Sequence, residues 1–494
     1  MNTSIIRYIL GNIIKLEGFF MLLPCAIALI YNEKELFTYL ATSVACILLG
    51  SLLTLKKAKD TVFYLKEGCI ATALSWILLS FFGALPFMLT GEIPHFTDAI
   101  FETVSGFTTT GASILTDVEA LSHTSLFWRS FTHWIGGMGV LVFLLAIVPL
   151  SGGSNMNLMR AESPGPSVGK LVPKMRYTAR ILYGIYLVLT ILELIILLIA
   201  KMPWFDALCI SIGTAGTGGF GILNSSVGGY SVAVQWIVTI FMILFAINFN
   251  AYYLILFGQV KNAFKMEEVR AFLAIVFIAI AAITIDIASM FHSLFEALTH
   301  AAFQVASIIS STGFATTDFD LWPGFSKTIL VLLMLIGACA GSTGGGIKVS
   351  RFVIIAKSIK KEFHSYIHPK SVKQIVMDGK EVDSSVTRSV SIYIMTFAAL
   401  FILSVLVIAL EEKDLVTNFT AVMATMNNIG PGLSMVGPTQ NFSHFTDLSK
   451  WVFIFDMLAG RLELFPLLIM FHPSIWHELI VRPIRRNIRK KHLQ

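Results

Sequence analysis

The stretch SSTGFATTDF, Ser310 to Phe319, stands between two runs that are otherwise apolar enough to cross a membrane. Its hydroxyls and carboxylate, Asp318, with Asp320 just beyond, are unfavourable in hydrocarbon. Irregular backbone at membrane depth is tolerated only where it is buried in protein or lines a water-filled cavity. What surrounds this stretch therefore decides the fold.

The surroundings are those of an integral membrane protein. Of 494 residues, 55% are hydrophobic and only 13% charged, where an ordinary soluble domain carries roughly 25% charged residues. A membrane helix needs roughly 20 apolar residues, and such runs fall near 9–31, 36–55, 69–90, 129–150, 181–200, 232–258, 271–292, 327–357, 389–410 and 451–471. Ten spans are expected. The first reads as an uncleaved helix rather than a signal peptide, because apolar residues continue well beyond Pro24 without a small-residue cleavage pattern. Cys25, Cys46, Cys69, Cys209 and Cys339 lie in or beside apolar runs and form no CxxC pair, so neither a disulfide framework nor a zinc site is suggested.

The net charge of +6 sorts by side of the membrane. With the N-terminus in the cytoplasm and sides alternating at each span, most lysines and arginines fall inside: Arg7 and Lys15, Lys56 to Lys66, Arg160 to Arg180, Lys261 to Arg270, Lys348 to Arg388, and Arg482 to Lys491. The positive-inside rule places both termini in the cytoplasm and accounts for the basic balance without nucleic acid. Residues 152–180, 259–270, 358–388 and the tail after 472 face the same side.

Four outer loops are too apolar to be plain linkers, and aligning them on one glycine reveals an internal repeat. They read DAIFETVSGFTTTGAS around Gly111, DALCISIGTAGTGGFG around Gly218, HAAFQVASIISSTGFATTDF around Gly313 and TNFTAVMATMNNIGPGLSMV around Gly430. Each has a helix-like stretch about half a membrane long, then a polar glycine-containing piece, then the next span. Ten residues before the glycine stand Phe101, Leu208, Phe303 and Thr420, and three repeats carry Thr-Gly at the aligned point. The opening stretch is thus one quarter of something built four times.

Four such segments around an axis supply a ring of main-chain carbonyls that replaces the hydration shell of a cation. Glycine reaches backbone conformations closed to other residues, so successive carbonyls can turn to one axis. The candidate filter is Thr109, Thr110 and Gly111; Gly216, Thr217 and Gly218; Ser311, Thr312 and Gly313; and Asn428, Ile429 and Gly430. Short helices entering from outside would aim their negative C-terminal ends at the pore centre, with Asp98 and Asp206 suiting the positive ends.

The eighth span, LLMLIGACAGSTGGGIKVSR, holds Gly337, Gly341, Gly344, Gly345 and Gly346 in its middle. Each interior helix glycine costs about 1 kcal/mol relative to alanine, so a broken helix is expected. Arg461 lies in the middle of the last span, where an arginine costs on the order of 2.5–3.5 kcal/mol on insertion scales. It must face protein or water. Glu463 is two residues on, at a spacing that points it to another face, whereas free carbonyls of an unwound 337–346 segment would suit the guanidinium.

These motifs resemble the Trk/Ktr/HKT superfamily of potassium transporters, and two extra N-terminal spans resemble its TrkH branch. The likeness covers essentially the whole chain. It implies a potassium-permeable subunit of the cell membrane, a homodimer with one pore per protomer, and gating by a cytosolic TrkA-type nucleotide-binding subunit. Family members favouring sodium tend to have serine at the first filter position, so Gly111 implies potassium. Repeat four departs most, with Asn428-Ile429-Gly430-Pro431 in place of Thr-Thr-Gly. In this family a mobile loop below the filter, with an arginine of the last helix, obstructs the pore. Those roles carry over onto Gly341, Ser342, Thr343, Gly344, Gly345, Gly346, Lys348 and Arg461.

The expected fold is an all-α membrane protein of ten transmembrane helices, with four helix, pore-helix, filter, helix repeats around a pseudo-four-fold pore. Its divisions are 1–68, two peripheral helices; 69–151, repeat one; 152–180, a cytoplasmic linker; 181–260, repeat two; 261–357, repeat three with a broken last helix; 358–388, a second linker; 389–472, repeat four; and 473–494, a basic tail. Potassium is the expected cargo and the lipid bilayer the surroundings. No nucleotide site is expected, because STGGGIKVS lies inside an apolar span and lacks the Gly-Lys-Ser/Thr ending of a phosphate loop. A proton- or sodium-coupled symporter using Asp286 or Asp456, with Glu17 and Glu193 as further membrane carboxylates, is the alternative. An intramembrane enzyme lacks a catalytic constellation in the spans.

Overall fold

The computed structural model describes residues 2–56, 64–139, 175–371 and 373–476. The N-terminal helices are α1 (Thr3–Phe20), α2 (Leu22–Tyr31) and α3 (Leu36–Thr54). The discontinuity between α1 and α2 falls at Met21, three residues before Pro24, which has no N–H to continue the ladder. Helix α1 packs along α3 and α4 (Leu65–Thr90).

From α4 onward the same order of elements recurs. A long helix is followed by a short buried one, a turn, and a second helix that does not run through. The long helices are α4, α7 (Met175–Ile199), α12 (Glu267–Ile287) and α16 (Ser384–Ile408). The short ones are α5 (Phe96–Phe107), α8 (Trp204–Gly216), α13 (Leu294–Ile309) and α17 (Leu415–Met426). Second helices are α6 (His123–Gly137), α9 (Val232–Ala246) with α10 (Phe249–Leu256), α14 (Gly324–Leu335) with α15 (Val349–Ile367), and α18 (Asp447–Arg461) with α19 (Phe465–Met470). Helix α11 (Val260–Lys265) links the second unit to α12, and a small hairpin, β1 (Val376–Met377) with β2 (Lys380–Glu381), lies between α15 and α16.

Burial separates these roles. In the most apolar windows of α7 and α16 only 22% of residues are buried, so these helices face the bilayer. Ala99 to Phe107 of α5 and Ala301 to Ile309 of α13 are buried without exception, so the short helices form the centre. Local chemistry starts them: Ser293 caps α13 by accepting from Glu296 N at 3.1 Å, and Asp414 caps α17 by accepting from Thr417 N at 2.9 Å. Asp98 and Asp206 do lie in the first turns of α5 and α8, but each also has a partner, Lys450 Nζ at 2.6 Å and the Tyr230 hydroxyl at 2.9 Å.

Among the described residues, six helices are long and apolar enough to cross a membrane, seven if the bent pair α9 and α10 is one span, against the ten expected. The protein is a helical multi-pass membrane protein, and the shortfall has a physical cause. Interruption was expected in the eighth span alone. Instead α9 and α10 meet at 91°, residues 336–348 separate α14 from α15, and Leu462 to Leu464 separate α18 from α19. Asn248 stabilises the first break by accepting from Asn250 N at 2.9 Å, and Glu463 and Leu464 adopt positive φ at the last. Helix α6 stops at Gly137, and residues 140–150 of the expected span 129–150 lie outside the described residues, as do most of the 152–180 linker and the tail beyond 476.

Candidate functional site

All four short helices end in the same hydrogen-bonded turn. Thr109, Thr217, Ser311 and Asn428 take left-handed φ of 58°, 53°, 59° and 54°. Each donates its N–H three residues back, to Gly106, Thr214, Ile308 and Thr425, at 3.1, 2.9, 3.0 and 3.2 Å. The next N–H reaches five residues back: Thr110 to Ser105, Gly218 to Gly213, Thr312 to Ser307 and Ile429 to Ala424, at 2.9, 3.0, 2.8 and 2.8 Å. This is the Schellman turn, which ordinarily places glycine at the left-handed position. Four side-chain-bearing residues there, each disfavoured by roughly 1–2 kcal/mol, are strain of the kind that gathers at functional sites.

The turn corrects the alignment of the second repeat. Gly218 stands level with Thr110, Thr312 and Ile429, so the residue level with Gly111, Gly313 and Gly430 is Gly219. Aligning on Thr-Gly shifted this repeat by one residue and drew in Gly216, which is still the last helical residue of α8. The pairs Gly219-Phe220 and Gly313-Phe314 carried the right register.

The four glycines close a ring. A β-carbon on Gly111 would lie 2.7 Å from Gly219 N, and one on Gly219 would lie 2.8 Å from the carbonyl carbon of Gly313. One on Gly313 would strike the Ile429 carbonyl, and one on Gly430 would lie 2.7 Å from the Thr110 carbonyl. Each repeat thus abuts the next in chain order, and the fourth abuts the first. Gly111, Gly313 and Gly430 have φ of 79°, 88° and 95°, whereas Gly219 keeps its place without a left-handed φ.

Side chains around the ring differ. Thr108 and Thr110 share a hydroxyl contact of 2.8 Å, and Ser310 and Thr312 one of 2.6 Å. Asn428 Nδ2 donates to Thr110 Oγ1 at 3.0 Å and to Met457 O at 2.9 Å, tying the fourth turn to the first. The Thr109 hydroxyl and the amide oxygens of Asn427 and Asn428 are buried without a hydrogen-bond partner among the described residues. They form a set of oxygen acceptors close to the turns. Asp318, from the stretch first quoted, caps a short turn by accepting from Asp320 N at 3.0 Å.

Below two of the turns sits the segment between α14 and α15. Gly344 lies against the Ser310 carbonyl and Gly345 against the Asn427 carbonyl, each leaving 2.8 Å to a β-carbon. Gly345 N donates to Ser311 Oγ at 2.5 Å. Gly341 and Gly346 adopt φ of 68° and 72°, Ser342 Oγ turns back to Cys339 O at 2.6 Å, and Lys348 Nζ folds onto the carbonyls of Gly344 and Gly345. Arg461 donates to Thr343 O at 2.9 Å, the kind of loop carbonyl expected for it. It also donates to the carbonyls of Gly136 and Gly137 at the end of α6. Glu463 pairs instead with Arg351, in keeping with its different face.

Three contributors were not foreseen. Glu102 and Arg129 form a buried pair at 2.7 Å. Glu102 also accepts from Ile114 N at 3.0 Å, and the guanidinium lies 4.1 Å from the Phe220 ring centre. His133 donates from Nδ1 to Gly106 O at 2.7 Å and accepts at Nε2 from Phe220 N at 3.3 Å. These roles require the neutral imidazole. Both groups brace the first and second turns from behind. Charge inside an otherwise apolar helix, at Glu102 and Arg129, was the available signal.

Apolar lipid-facing helices around short buried helices that end in a four-turn ring define a helical multi-pass membrane protein. Over residues 35–478 the chain matches the TrkH family, described as cation transport protein, and it belongs to that family. It is 35% identical over 488 residues to Trk system potassium uptake protein TrkH of Salmonella typhimurium, covering 97% of this chain and 100% of that protein. Trk system potassium uptake protein TrkG of Escherichia coli is 34% identical over 489 residues, covering 96% and 100%. The crystal structure of the potassium transporter TrkH from Vibrio parahaemolyticus superposes with a TM-score of 0.86 at 32% identity, covering 96% of this chain and all of that one.

Proposed function

We propose that this chain is a potassium uptake subunit of the cell membrane, in which potassium passes channel-like through the ring of four turns. The observation that carries the reading is the ring itself: four identical backbone turns, in chain order, each glycine against its neighbour. Main-chain carbonyls and the unpaired Thr109 and Asn428 oxygens supply oxygen ligands of the type that replace a cation's water. The ten-span, four-repeat pore plan, with both termini cytoplasmic, follows from this reading and from the placement of lysine and arginine.

The Gly341 to Gly346 loop is the gate. It lies against the third and fourth turns, and Lys348 and Arg461 add positive charge beside it, an electrostatic barrier to a cation. Opening requires the loop to leave Thr343, Gly344 and Gly345 carbonyls without their present donors. We assign the opening signal to a TrkA-type cytosolic subunit and the assembly to a homodimer, on the family likeness. A symporter is less well supported, because Asp286 accepts from Ser326 and Asp456 from Ser404, and neither is among the groups at the ring.

The test is potassium and sodium flux into proteoliposomes without an added energy source, wild type beside Gly111→Ser. Flux down the gradient that prefers potassium, with the preference lost in Gly111→Ser, is expected. Flux that needs a proton or sodium gradient and ignores the substitution overturns the proposal.

A further inference from the structure

Glu268, in the first turn of α12, is 3% exposed and touches none of the filter residues. One carboxylate oxygen, Oε1, accepts from Ala340 N at 2.7 Å and from Ser350 N at 3.1 Å. The other accepts from Asn248 Nδ2 at 3.3 Å, at the break between α9 and α10. Ala340 immediately precedes the loop and Ser350 lies in the first turn of α15 after it. In a continuous helix ten residues rise about 15 Å, whereas two nitrogens bonded to one oxygen at these distances lie within about 6 Å of each other. Glu268 therefore fits only the folded-in loop.

The loop is also stitched directly to the second repeat's break. Cys339 N donates to Ala246 O at 3.1 Å and Phe249 N to Gly341 O at 3.0 Å. Glu268 stands where these two interruptions meet. The residue before it faces the other way: Glu267 N donates to Asp378 Oδ1 at 2.7 Å, Asp378 N donates to Glu267 Oε1 at 3.1 Å, and Lys357 pairs with Glu267. Asp378 is the turn of the β1–β2 hairpin, and Lys357 also donates to Val376 O at 2.5 Å.

We infer that Glu268 is the latch of the intramembrane loop, a positioning residue that pins both loop ends and the second repeat's break to one carboxylate, and that the β1–β2 hairpin, through Glu267, is the handle that moves it. A force on the hairpin reaches α12 one residue from the latch. The inference rests on the loop's reading as the gate and names what holds it shut and what releases it.

The experiment uses the full chain in proteoliposomes with Ser342→Cys as a reporter, labelled by a membrane-impermeant maleimide, alongside potassium flux. The five native cysteines are buried, and their labelling without Ser342→Cys sets the background. Glu268→Ala is expected to speed labelling by about tenfold or more, since charge-assisted bonds at both loop ends are lost, and to raise flux. Asp378→Ala gives a smaller rise that adds nothing in the Glu268→Ala background, as expected for links in one chain of contacts. Glu268→Gln, which keeps an acceptor oxygen for the loop and loses the charge, falls between. Should Glu268→Ala not fold, Asn248→Ala carries the test, and an unchanged labelling rate there overturns the latch. Arg461→Ala separates the two readings. If it raises flux while Glu268→Ala changes neither flux nor labelling, the latch is wrong and the gate stands. If Glu268→Ala speeds labelling while neither variant moves flux, the latch holds the loop but the loop is not the gate. A full additive effect of Asp378→Ala removes the hairpin from the inference.

Discussion

On the proposed reading of the 341–346 loop as the gate, Arg461→Ala isolates the contribution of one guanidinium to holding that loop in place. Of its bonds, the one to Thr343 O at 2.9 Å connects the last helix to the loop, while those to Gly136 and Gly137 connect α18 to α6. Only the first distinguishes a seated loop from a displaced one. A hydrogen bond to a charged group contributes about 1.5–3 kcal/mol, so its loss shifts the ratio of seated to displaced loop by about ten- to a hundredfold. The other two bonds hold helices together in both states, and their loss lowers thermal stability without opening the loop. Single-channel recording in planar bilayers, without the cytosolic partner, reads the first effect as open probability, and thermal melting of the purified protein reads the second. Arg461→Lys is the informative control, because a lysine point charge cannot span carbonyls on α6 and the loop together as a planar guanidinium does. It should open nearly as readily as the alanine variant while keeping the local positive charge. An open probability unchanged in both, with a lowered melting temperature, would mean that Arg461 is only a brace between helices and that the loop is held elsewhere.

Two further outcomes follow from the geometry. Gly430→Ala puts a β-carbon 2.7 Å from the Thr110 carbonyl at a φ of 95°, so overpacking and left-handed strain add to about 2–5 kcal/mol; Gly91→Ala, also at positive φ but with open space around it, bears only the strain, and thermal melting should rank the two in that order. Between α2 and α3, burial raises the Glu33 carboxyl, but hydrogen bonds from Thr124 and His123 outweigh it and hold the group below its ordinary range. A carboxylate lowered on folding stabilises at neutral pH and loses that contribution as pH falls through its folded value. The difference in melting temperature between wild type and Glu33→Gln is therefore expected to hold from about pH 7 down to about pH 5 and to shrink as pH falls below about 4.

The sequence made the membrane class and the existence of four turns legible, because apolar runs and glycine-bearing breaks are local signals. It also placed the loop, since Gly344, Gly345 and Gly346 cannot sustain a helix without cost, and it paired Arg461 with loop carbonyls. It did not disclose that the second helices of repeats two and four are interrupted as well. Those breaks carry no glycine run: Ile247-Asn248 is bent by bonds to another repeat, and Leu462 to Leu464 by backbone φ that no propensity favours. Tertiary contacts decided them. The register of repeat two failed for a different reason, since Thr217-Gly218 and Gly218-Gly219 both offer a glycine and only the turn's hydrogen bonds choose. Glu102, Arg129 and His133 were visible as polar residues in apolar helices, but their partners lie 11 to 92 residues away in sequence, on other elements.

The same turn explains how four dissimilar sequences make one ring. A Schellman turn is held by main-chain donors and acceptors, so it asks little of its side chains: threonine, glycine, threonine and isoleucine occupy the equivalent places at 110, 218, 312 and 429. Where the side chain is missing, at Gly218, the His133 ring occupies the space a β-carbon would need. Where the left-handed residue carries an amide, at Asn428, the turn gains a tie to Thr110 of the adjoining first turn. The backbone is thus four-fold while the side chains are not, and an ion in the ring would meet similar carbonyls but unequal support behind them. Stiffness is then distributed unevenly. The first and second turns are braced by the buried Glu102 and Arg129 pair and by His133, whereas the third and fourth rest on the loop through Ser311 and Asn427. If the loop is the gate, as proposed, withdrawing it removes support from only half of the ring, so the step that opens the path also loosens the third and fourth turns.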